Sequence, residues 1–216
     1  YNRGNIYSRR RDFQLAIADF NRAIELKPDD ERALHNRGVA YIKSEQPLKA
    51  IADLDKVIKM QPKFSDAYYN RGLAYAMIGM HDQAIKDYTQ TIEMNPTNAQ
   101  AYHNRGFEYA VTDQYDSAIA DFSEFIKMNP SYAPAYNNRG RMYLMKRKSK
   151  SALQDLSKAI ELDPKFADAY LNRAFALYRL KQFSYAWADV QKYEDLGETA
   201  PEAFVEQLTK AMEGAR

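Results

Sequence analysis

The sequence contains no cysteine among its 216 residues, which excludes disulfide bonds and thiolate metal sites but leaves the cellular compartment open. It also has no excess of charge of one sign, because 31 lysines and arginines are balanced by 29 aspartates and glutamates. A dedicated nucleic-acid-binding protein would normally carry a basic excess. No apolar run approaches the roughly 20 residues that a membrane-spanning helix needs. Composition therefore gives no strong nucleic-acid signal and predicts no transmembrane segment.

Residues that carry chemistry are also sparse. The three histidines, His35, His81 and His103, form no His-x-x-x-His or His-Glu pair, and no glycine-rich phosphate loop is present. Carboxylates are abundant, but they recur at fixed intervals, so that no catalytic pair stands out. The sequence therefore predicts no metal site, no cofactor and no enzymatic activity.

The sequence does have a repeat of 34 residues without insertions. The triplet Asn-Arg-Gly begins at residues 2, 36, 70, 104 and 138, and a sixth copy reads Asn172-Arg173-Ala174. Prolines keep the same step from Pro28 to Pro164, and alanines keep it from Ala16 to Ala186. Because three residue types share one register, the period is real. Positions within a repeat are numbered below so that the glycine of the triplet is position 8.

Each repeat predicts two amphipathic helices of about 13 residues. Small or apolar residues occupy positions 3, 4, 8 and 11 of the first helix and positions 20, 21, 24 and 28 of the second, the spacing of helices buried on one side. Proline at position 32 ends the second helix, because the residue before a proline is disfavoured in the α region. Asp29, Ser65, Asn98 and Ser131 are expected at or near the N-caps of the following helices.

With this pattern the chain resembles the tetratricopeptide repeat family over residues 1 to about 200. The family's small, aromatic and proline positions are matched in two repeats by Gly38, Tyr41, Ala50, Leu54 and Pro62, and by Gly106, Tyr109, Ala118, Phe122 and Pro130. The resemblance implies an all-α fold, a right-handed superhelical solenoid of helix-turn-helix repeats whose first helices line the concave side. The last unit departs from the pattern, because Ala174 replaces glycine and Glu198 replaces proline.

The expected organisation is a single solenoid domain over residues 1–216. Its repeats are predicted at 1–30, 31–64, 65–98, 99–132, 133–166 and 167–200, with the first lacking four positions. The predicted cap helix is 201–213, whose residues 202–213 carry apolar side chains along one side, as a terminal cap requires. It could instead dock onto a neighbouring molecule. Because Tyr1 falls inside a repeat, we expect a fragment of a longer protein. The compartment is therefore not predicted beyond a slight preference for the cytoplasm.

Two polar rows do not fit the apolar pattern. Position 7 is arginine and position 23 is aspartate in all six repeats. Position 7 lies near the middle of the buried side, where an unpaired charge would be too costly to repeat. We therefore expect ion pairs between packed helices that fix their register, formed by Arg37, Arg71, Arg105 and Arg139 with Asp53, Asp87, Asp121 and Asp155. The alternative is that the arginines form a track for phosphate or carboxylate groups.

Position 6 is asparagine in all six repeats, on the side opposite the core that positions 2, 5, 6, 9, 12 and 13 share. Asparagine is a mediocre helix former, but its amide can pair with both polar groups of a peptide bond. The row can therefore link neighbouring helices, grip an extended chain by its backbone, or do both. Resemblance to tetratricopeptide proteins that bind extended segments favours the second use. The predicted backbone-binding residues are Asn36, Asn70, Asn104, Asn138 and Asn172.

Positions 5 and 9 lie beside the asparagines and are expected to set side-chain preference through shallow pockets. The predicted residues are His35, Tyr69, Leu73, His103, Phe107 and Arg141. The alternative is ordinary scatter of apolar residues on a surface. The family's carboxylate clamp for acidic chaperone tails is not matched, because position 5 has no lysine and position 6 has no arginine.

The sequence thus predicts a non-enzymatic scaffold for protein–protein interaction that binds an extended peptide in a concave groove. One alternative is a self-associating structural scaffold. The other is a binder of an anionic ligand (RNA, acidic peptide or lipid head group) along basic turns between helices. Those turns are Arg9-Arg10-Arg11 and Lys146-Arg147-Lys148 with Lys150, and the equivalent middle turns at 44–46 and 112–114 do not continue them.

Overall fold

The computed structural model describes residues 1–214, and its regular structure there consists of thirteen helices without a strand, which confirms the all-α prediction. The first helices of the repeats are α1 (Asn2–Arg9), α3 (Glu31–Lys43), α5 (Ser65–Met77), α7 (Ala99–Val111), α9 (Ala133–Met145) and α11 (Ala167–Arg179). The second helices are α2 (Phe13–Leu26), α4 (Pro47–Met60), α6 (His81–Met94), α8 (Tyr115–Met128), α10 (Ser149–Leu162) and α12 (Phe183–Asp195), and α13 (Glu202–Glu213) follows. Among residues 1–214, the helices lack the length and the continuous hydrophobicity that a membrane span requires.

The chain divides into two compact units. The first unit is Tyr1–Thr112 with α1 to α7, and the second begins at Asp113 with α8 to α13. Within each unit, helices that follow one another in the chain pack together, as α3 does on α2 and α4, and α11 on α10 and α12. The single solenoid domain and its right-handed superhelix stay predictions.

The second helices of most pairs end two residues before the repeat proline. At Lys27 the chain is extended, with φ −142° and ψ 91°, as expected for the residue that precedes a proline. In α12, which lacks this proline, the helix ends before Gly197, whose φ of 94° is left-handed. Glycine adopts that conformation without the steric cost of a Cβ, so in the last repeat a glycine ends the helix in place of the proline.

The first helices differ in how their starts are capped. The side chain of Asn98 accepts a hydrogen bond from the backbone N–H of Ala101, as predicted for an N-cap. The cap of α3 is Asp30 rather than Asp29, because the Asp30 carboxylate accepts from two backbone amides of the first turn. Ser65 is the first residue of α5 and not its N-cap.

The turns between paired helices share one backbone conformation. In every repeat the residue at position 15 has a left-handed φ between 56° and 71°. In the turn after α3, the backbone N–H of Gln46 donates to the carbonyl of Tyr41 at 2.8 Å, and that of Glu45 donates to Ile42 at 3.2 Å. This double closure is a Schellman motif, which favours glycine at the left-handed position. The six residues are Arg11, Glu45, Gly79, Asp113, Arg147 and Lys181.

Close packing within a helix pair depends on the glycine at position 8. A Cβ added to Gly38 would lie 3.0 Å from Cγ of Leu54, and one added to Gly140 would lie 2.8 Å from Cγ of Leu156. Both leucines occupy position 24 of the second helix and are fully buried. Glycine is therefore needed at position 8, because a side chain there would clash with the facing leucine and force the helices apart.

The sixth repeat carries alanine at this position and compensates on the facing helix. Position 24 is Val190 there, one methylene shorter than leucine, and Ala174 and Val190 lie in the same buried cluster. The larger residue at Ala174 is thus matched by a smaller residue at Val190 on the facing helix.

The end of the second unit is covered by α13, which confirms the predicted capping helix. Phe204 and Leu208 are buried against α11 and α12, and the Phe204 ring centre lies 4.1 Å from that of Phe175. The opposite side of α13 is charged and exposed, as the outer surface of a cap should be.

Candidate functional site

The asparagine row links consecutive first helices in the first unit. Nδ2 of Asn36 donates to Oδ1 of Asn5 at 2.9 Å, and Nδ2 of Asn70 lies 3.1 Å from Nε2 of His35. Nδ1 of the same histidine lies 3.3 Å from Oδ1 of Asn36. An imidazole that accepts at Nε2 and donates at Nδ1 is neutral. Burial lowers the pKa of His35, which favours that neutral form.

The next link has the same geometry. Nδ2 of Asn104 donates to the hydroxyl of Tyr69 at 3.1 Å, and burial raises the pKa of that hydroxyl. His35 and Tyr69 are position-5 side chains of the preceding repeat, as is Tyr1, whose hydroxyl lies 3.2 Å from Nδ2 of Asn36, whereas Asn5 is at position 9. The interhelical use of the asparagines is therefore present in the first unit, and their side chains are half-buried rather than fully covered.

The second unit contains the same link, with one difference. Nδ2 of Asn172 donates to Oδ1 of Asn137 at 2.9 Å. Asn138 and Asn137 are only 8% and 4% exposed, whereas Asn172 is half-buried. Little of the Asn138 amide is open to a ligand, so this predicted binding residue departs from the other four.

The residues predicted to set side-chain preference vary in exposure. Phe107 is 38% exposed, and its ring meets His103 edge-on at 4.8 Å between centres. Burial lowers the pKa of His103. Leu73 is half-buried against the core of the first unit, and Arg141 is exposed in the second.

Two exposed apolar side chains on the same side were missed by the sequence prediction. Met77 is 45% exposed and Val111 is 60% exposed. They follow Asn70 and Asn104 by seven residues, which is two helical turns. That spacing was the sequence signal, because it places them on the side that carries the asparagines.

Within each unit, arginines at position 7 bind aspartates at position 23. Nε and Nη2 of Arg37 donate to the two carboxylate oxygens of Asp53 at 2.7 Å each, and Arg139 does the same to Asp155 at 2.7 and 2.8 Å. The hydrogen bonds to Asp53 raise the pKa of Arg37. Equivalent bidentate pairs join Arg3 to Asp19, Arg71 to Asp87 and Arg173 to Asp189.

The position-7 arginines of repeats two to six also reach a third helix, which the sequence prediction missed. Nη1 of Arg37 donates to Oδ1 of Asn21 at 2.7 Å, and Nη1 of Arg105 donates to Oγ1 of Thr89 at 3.0 Å. The acceptor is always position 25 of the preceding second helix, where the further residues are Asp55, Ser123 and Ser157. A polar acceptor at position 25 in each of these repeats was the available signal.

Tyrosine rings complete the surroundings of the arginines. The guanidinium of Arg71 lies 5.5 Å from the ring centre of Tyr68 and 5.7 Å from that of Tyr75, within cation–π distance. The Arg71 side chain is 18% exposed. Because three of its nitrogens donate within the protein, this arrangement favours a structural role over a phosphate or carboxylate track.

Another polar contact lies outside the predicted sets. Nδ1 of His81 at the start of α6 lies 2.6 Å from Oε2 of Glu108 in α7, and Glu108 is only 9% exposed. Within residues 1–214, no three His, Asp or Glu side chains gather closely enough to hold a metal ion.

In the basic turns, one lysine already forms an ion pair within the protein and other basic residues are exposed. Nζ of Lys146 lies 2.5 Å from Oδ2 of Asp116, and this contact lowers the pKa of that carboxyl. Arg147 and Lys148 are exposed in the same turn, as are residues 9–11 in the first repeat.

Comparison with protein families returned matches along most of the chain. Models of the tetratricopeptide repeat match residues 4–68, 65–98, 87–120 and 122–154, and a TPR repeat model matches residues 148–181. The comparison with curated proteins gave no significant match.

Solved structures with a similar fold include a crystal structure of MamA, which is 28% identical, covers 76% of this chain and 96% of that chain, and has a TM-score of 0.72. MamA from Desulfovibrio magneticus RS-1 is 19% identical over 77% of this chain and 94% of that chain, with a TM-score of 0.74. YrrB, described as a TPR protein with an unusual peptide-binding site, is 20% identical over 82% of this chain and 91% of that chain, with a TM-score of 0.75.

Proposed function

The chain belongs to the tetratricopeptide repeat family, whose proteins are typically non-enzymatic interaction scaffolds, and we propose that it binds an extended peptide along its asparagine row. Within each unit the binding surface is the groove side, defined as positions 2, 5, 6, 9, 12 and 13 of the first helices. In this proposal the asparagines hold the ligand backbone, and the side chains at positions 5 and 9 select among ligand side chains.

The observation that carries the proposal is the half-buried state of Asn36, Asn70 and Asn104. Their amide nitrogens donate to the preceding repeat, which fixes the orientation of each amide. An amide oxygen accepts two hydrogen bonds, so it can still receive a backbone N–H from a ligand. A fixed acceptor loses little entropy on binding, which favours a row of such contacts.

Neighbouring apolar residues support a peptide rather than a purely polar ligand. Leu73 and Phe107 lie at position 9 of consecutive first helices, three residues after Asn70 and Asn104. Alternate side chains of an extended peptide point to the same side and could enter the spaces beside them. YrrB, with the same fold, is a solved protein described as having a peptide-binding site, which supports this use of the fold.

In the second unit, taken by itself, the asparagine row has a different composition. Asn172 is half-buried and takes the backbone-binding role, with the exposed Arg141 beside the row. Asn138 is buried, and we assign it to the packing of the repeats.

The test is a selection of random unstructured peptides displayed on phage against the full chain. The peptides that emerge are then measured on a triple variant, Asn36→Ala, Asn70→Ala and Asn104→Ala. Each lost hydrogen bond should weaken binding by about 2- to 10-fold, from a net value of roughly 0.5–1.5 kcal/mol. The control is the double variant Gln83→Ala and Gln154→Ala, which removes exposed amides from second helices.

All proteins must first show the same helicity and melting behaviour, because the asparagines also link repeats. Loss of binding in the asparagine variant alone supports the proposal. Selected peptides that bind the triple variant as tightly as the wild type would show that the asparagines are structural and that the ligand lies elsewhere.

A further inference from the structure

We propose that the ligand of the first unit is an extended segment with an acidic cluster and an apolar cluster about six residues apart. The acidic cluster lies on repeats one and two, and the apolar cluster lies on repeats three and four. This inference rests on the proposed function, because it names the class of peptide that the same surface holds.

Position 13 forms a row of four residues in the first unit. They are Arg9, Lys43, Met77 and Val111, one in each of the first four repeats. Position 13 follows the asparagine by seven residues, or two helical turns, and therefore lies on the groove side. The row changes from basic to apolar along the unit.

Hydrogen bonds between the asparagines and the preceding repeats show that the row is continuous. Asn36 contacts α1, Asn70 contacts α3 and Asn104 contacts α5, so the four first helices lie side by side in chain order. Residues two turns further along those helices are then neighbours in the same order. The basic half and the apolar half are thus adjacent parts of one surface.

The exposure of the row shows that the core does not use it. Met77 and Val111 are 45% and 60% exposed, and the side chains of Arg9 and Lys43 are exposed at the other end. No acidic side chain forms an ion pair with either basic residue among the described residues. Exposed apolar residues on neighbouring helices are costly in water unless a ligand covers them.

Other groove-side residues follow the same division. Arg32, at position 2 of the second repeat, is exposed and adds a third positive charge to the basic half. Leu73 and Phe107 add apolar area to the other half. Asp66 is the one acidic residue at groove-side positions of the first four repeats. This surface is therefore basic although the chain as a whole has a net charge of only +2.

The spacing of the helices sets the length of the ligand. Packed helices lie about 8–10 Å apart, so the centres of the two halves are separated by roughly 20 Å. An extended chain rises about 3.3 Å per residue, which corresponds to about six residues. A nucleic acid would match the basic half through its phosphates, but it would leave Met77 and Val111 uncovered. The apolar half therefore favours a peptide.

Fluorescence anisotropy of labelled synthetic peptides on the full chain tests the proposal. The probe carries a run of three glutamates, a Ser-Gly spacer of about three residues and the sequence Leu-Phe-Leu, so that the centres of the two clusters lie about six residues apart. It is made in both orders because a groove can hold either direction. We expect one order to bind. Replacing the glutamates by lysines, or the apolar residues by serines, should weaken binding by about tenfold or more, which corresponds to ~1.4 kcal/mol.

Variants of the protein assign the contacts. Lys43→Glu should weaken binding of the glutamate probe and restore binding of the lysine probe, a reversal that general destabilisation cannot produce. Val111→Ser should weaken binding of both the glutamate probe and the lysine probe. The matched controls are Lys56→Glu on α4 and Leu15→Ser on α2, an apolar residue that is 52% exposed. Neither control should change the affinity of either probe.

The contradicting outcomes separate this inference from the proposed function. If neither probe binds, but phage-selected peptides still require the asparagines, the ligand class is wrong and the peptide site stands. If an all-glutamate peptide or a short RNA binds as tightly as the bipartite probe, the apolar half is not used and the inference fails. If the selected peptides ignore the asparagines as well, both proposals fail.

Discussion

Arg71 binds Asp87 through two parallel hydrogen bonds of 2.7 Å, from Nε and Nη2 to the two carboxylate oxygens. Nη1 of the same guanidinium reaches Oδ1 of Asp55 on the preceding second helix at 2.6 Å. One side chain on α5 therefore joins α4 and α6. Burial raises the pKa of Asp87 although Arg71 opposes this shift, so the carboxylate depends on the arginine for its charged form.

Removing one partner of this pair should be strongly destabilising. Arg71→Leu leaves the Asp87 carboxylate buried without its bidentate donor, and we expect a loss of about 3–5 kcal/mol in the free energy of unfolding. Chemical denaturation followed by circular dichroism measures the change. The double variant with leucine at both positions should lose less free energy of unfolding than either single variant, because no uncompensated charge is left.

The control for the Arg71 experiment is Arg22→Leu, which breaks the exposed ion pair with Glu25. Both side chains there are more than 60% exposed, so the change should cost less than about 1 kcal/mol. A denaturation midpoint of Arg71→Leu equal to that of this control would show that the pair does not hold the helices together.

The packing of Gly140 on Leu156 predicts a rescue by volume. Gly140→Ala should destabilise the protein, because the new Cβ would lie 2.8 Å from Cγ of Leu156, and overpacking typically costs about 1–3 kcal/mol. Adding Leu156→Val reproduces the alanine–valine combination of the sixth repeat. Thermal melting of the double variant should therefore show less loss than the sum of the two single variants.

The reverse substitution in the sixth repeat supplies the contrast. Ala174→Gly relieves no clash, because Val190 already accommodates the methyl group, and it should cost about 1 kcal/mol through helix propensity and lost packing. Additive effects of Gly140→Ala and Leu156→Val would contradict a volume match between these positions.

The left-handed turn residues predict gains of stability on mutation to glycine. Glu45 has a φ of 58°, a conformation that costs a residue with a Cβ about 1 kcal/mol relative to glycine. Glu45→Gly should therefore raise the melting temperature. Gly79→Ala should lower it by a similar free energy, although a Cβ there would meet only Nε2 of His81, at 3.9 Å. Effects of the same sign would refute the backbone explanation.

Much of the fold follows from the sequence, because the period fixes which residues share a helix side. The helices α3, α5, α7, α9 and α11 begin at the predicted repeat boundaries, and α13 spans the predicted residues. The use of position 25 did not follow, because its residues differ in type while sharing only a hydrogen-bond acceptor. Seeing that Asn21 and Thr89 serve the same purpose requires the distance from each to an arginine on the next repeat.

The sequence predicted where the candidate residues lie on the helices, but it did not predict how exposed each of them is. A helical wheel places Asn138 and Asn70 on the same side, yet the structure buries Asn138 and leaves Asn70 partly open. The burial of each residue depends on the side chains of neighbouring repeats, which a single-helix pattern does not contain. The exposure of Met77 and Val111 is set in the same way.

The half-buried His35 and His103 on the groove side predict a loss of stability at mildly acidic pH. Burial lowers the pKa of His35 and of His103, with smaller opposing effects from Asn36 and Asp66 on the former. The unfolded imidazoles keep a pKa of about 6.5, so below that pH the unfolded chain binds more protons than the folded one. The free energy of unfolding should be independent of these groups above about pH 7 and should fall as the pH drops below 6.5 toward the lowered folded pKa.

The double variant His35→Gln and His103→Gln should flatten this dependence, because glutamine does not titrate. Denaturant titrations at pH 5.5 and 7.5 measure the difference for each protein. Gln83→Ala, at an exposed position of α6, is the control, since it leaves both imidazoles in place and should keep the wild-type drop between the two pH values. An equal drop in the double variant would mean that the acid sensitivity arises from other groups, and the neutral imidazole of His35 between Asn36 and Asn70 would then contribute nothing to it.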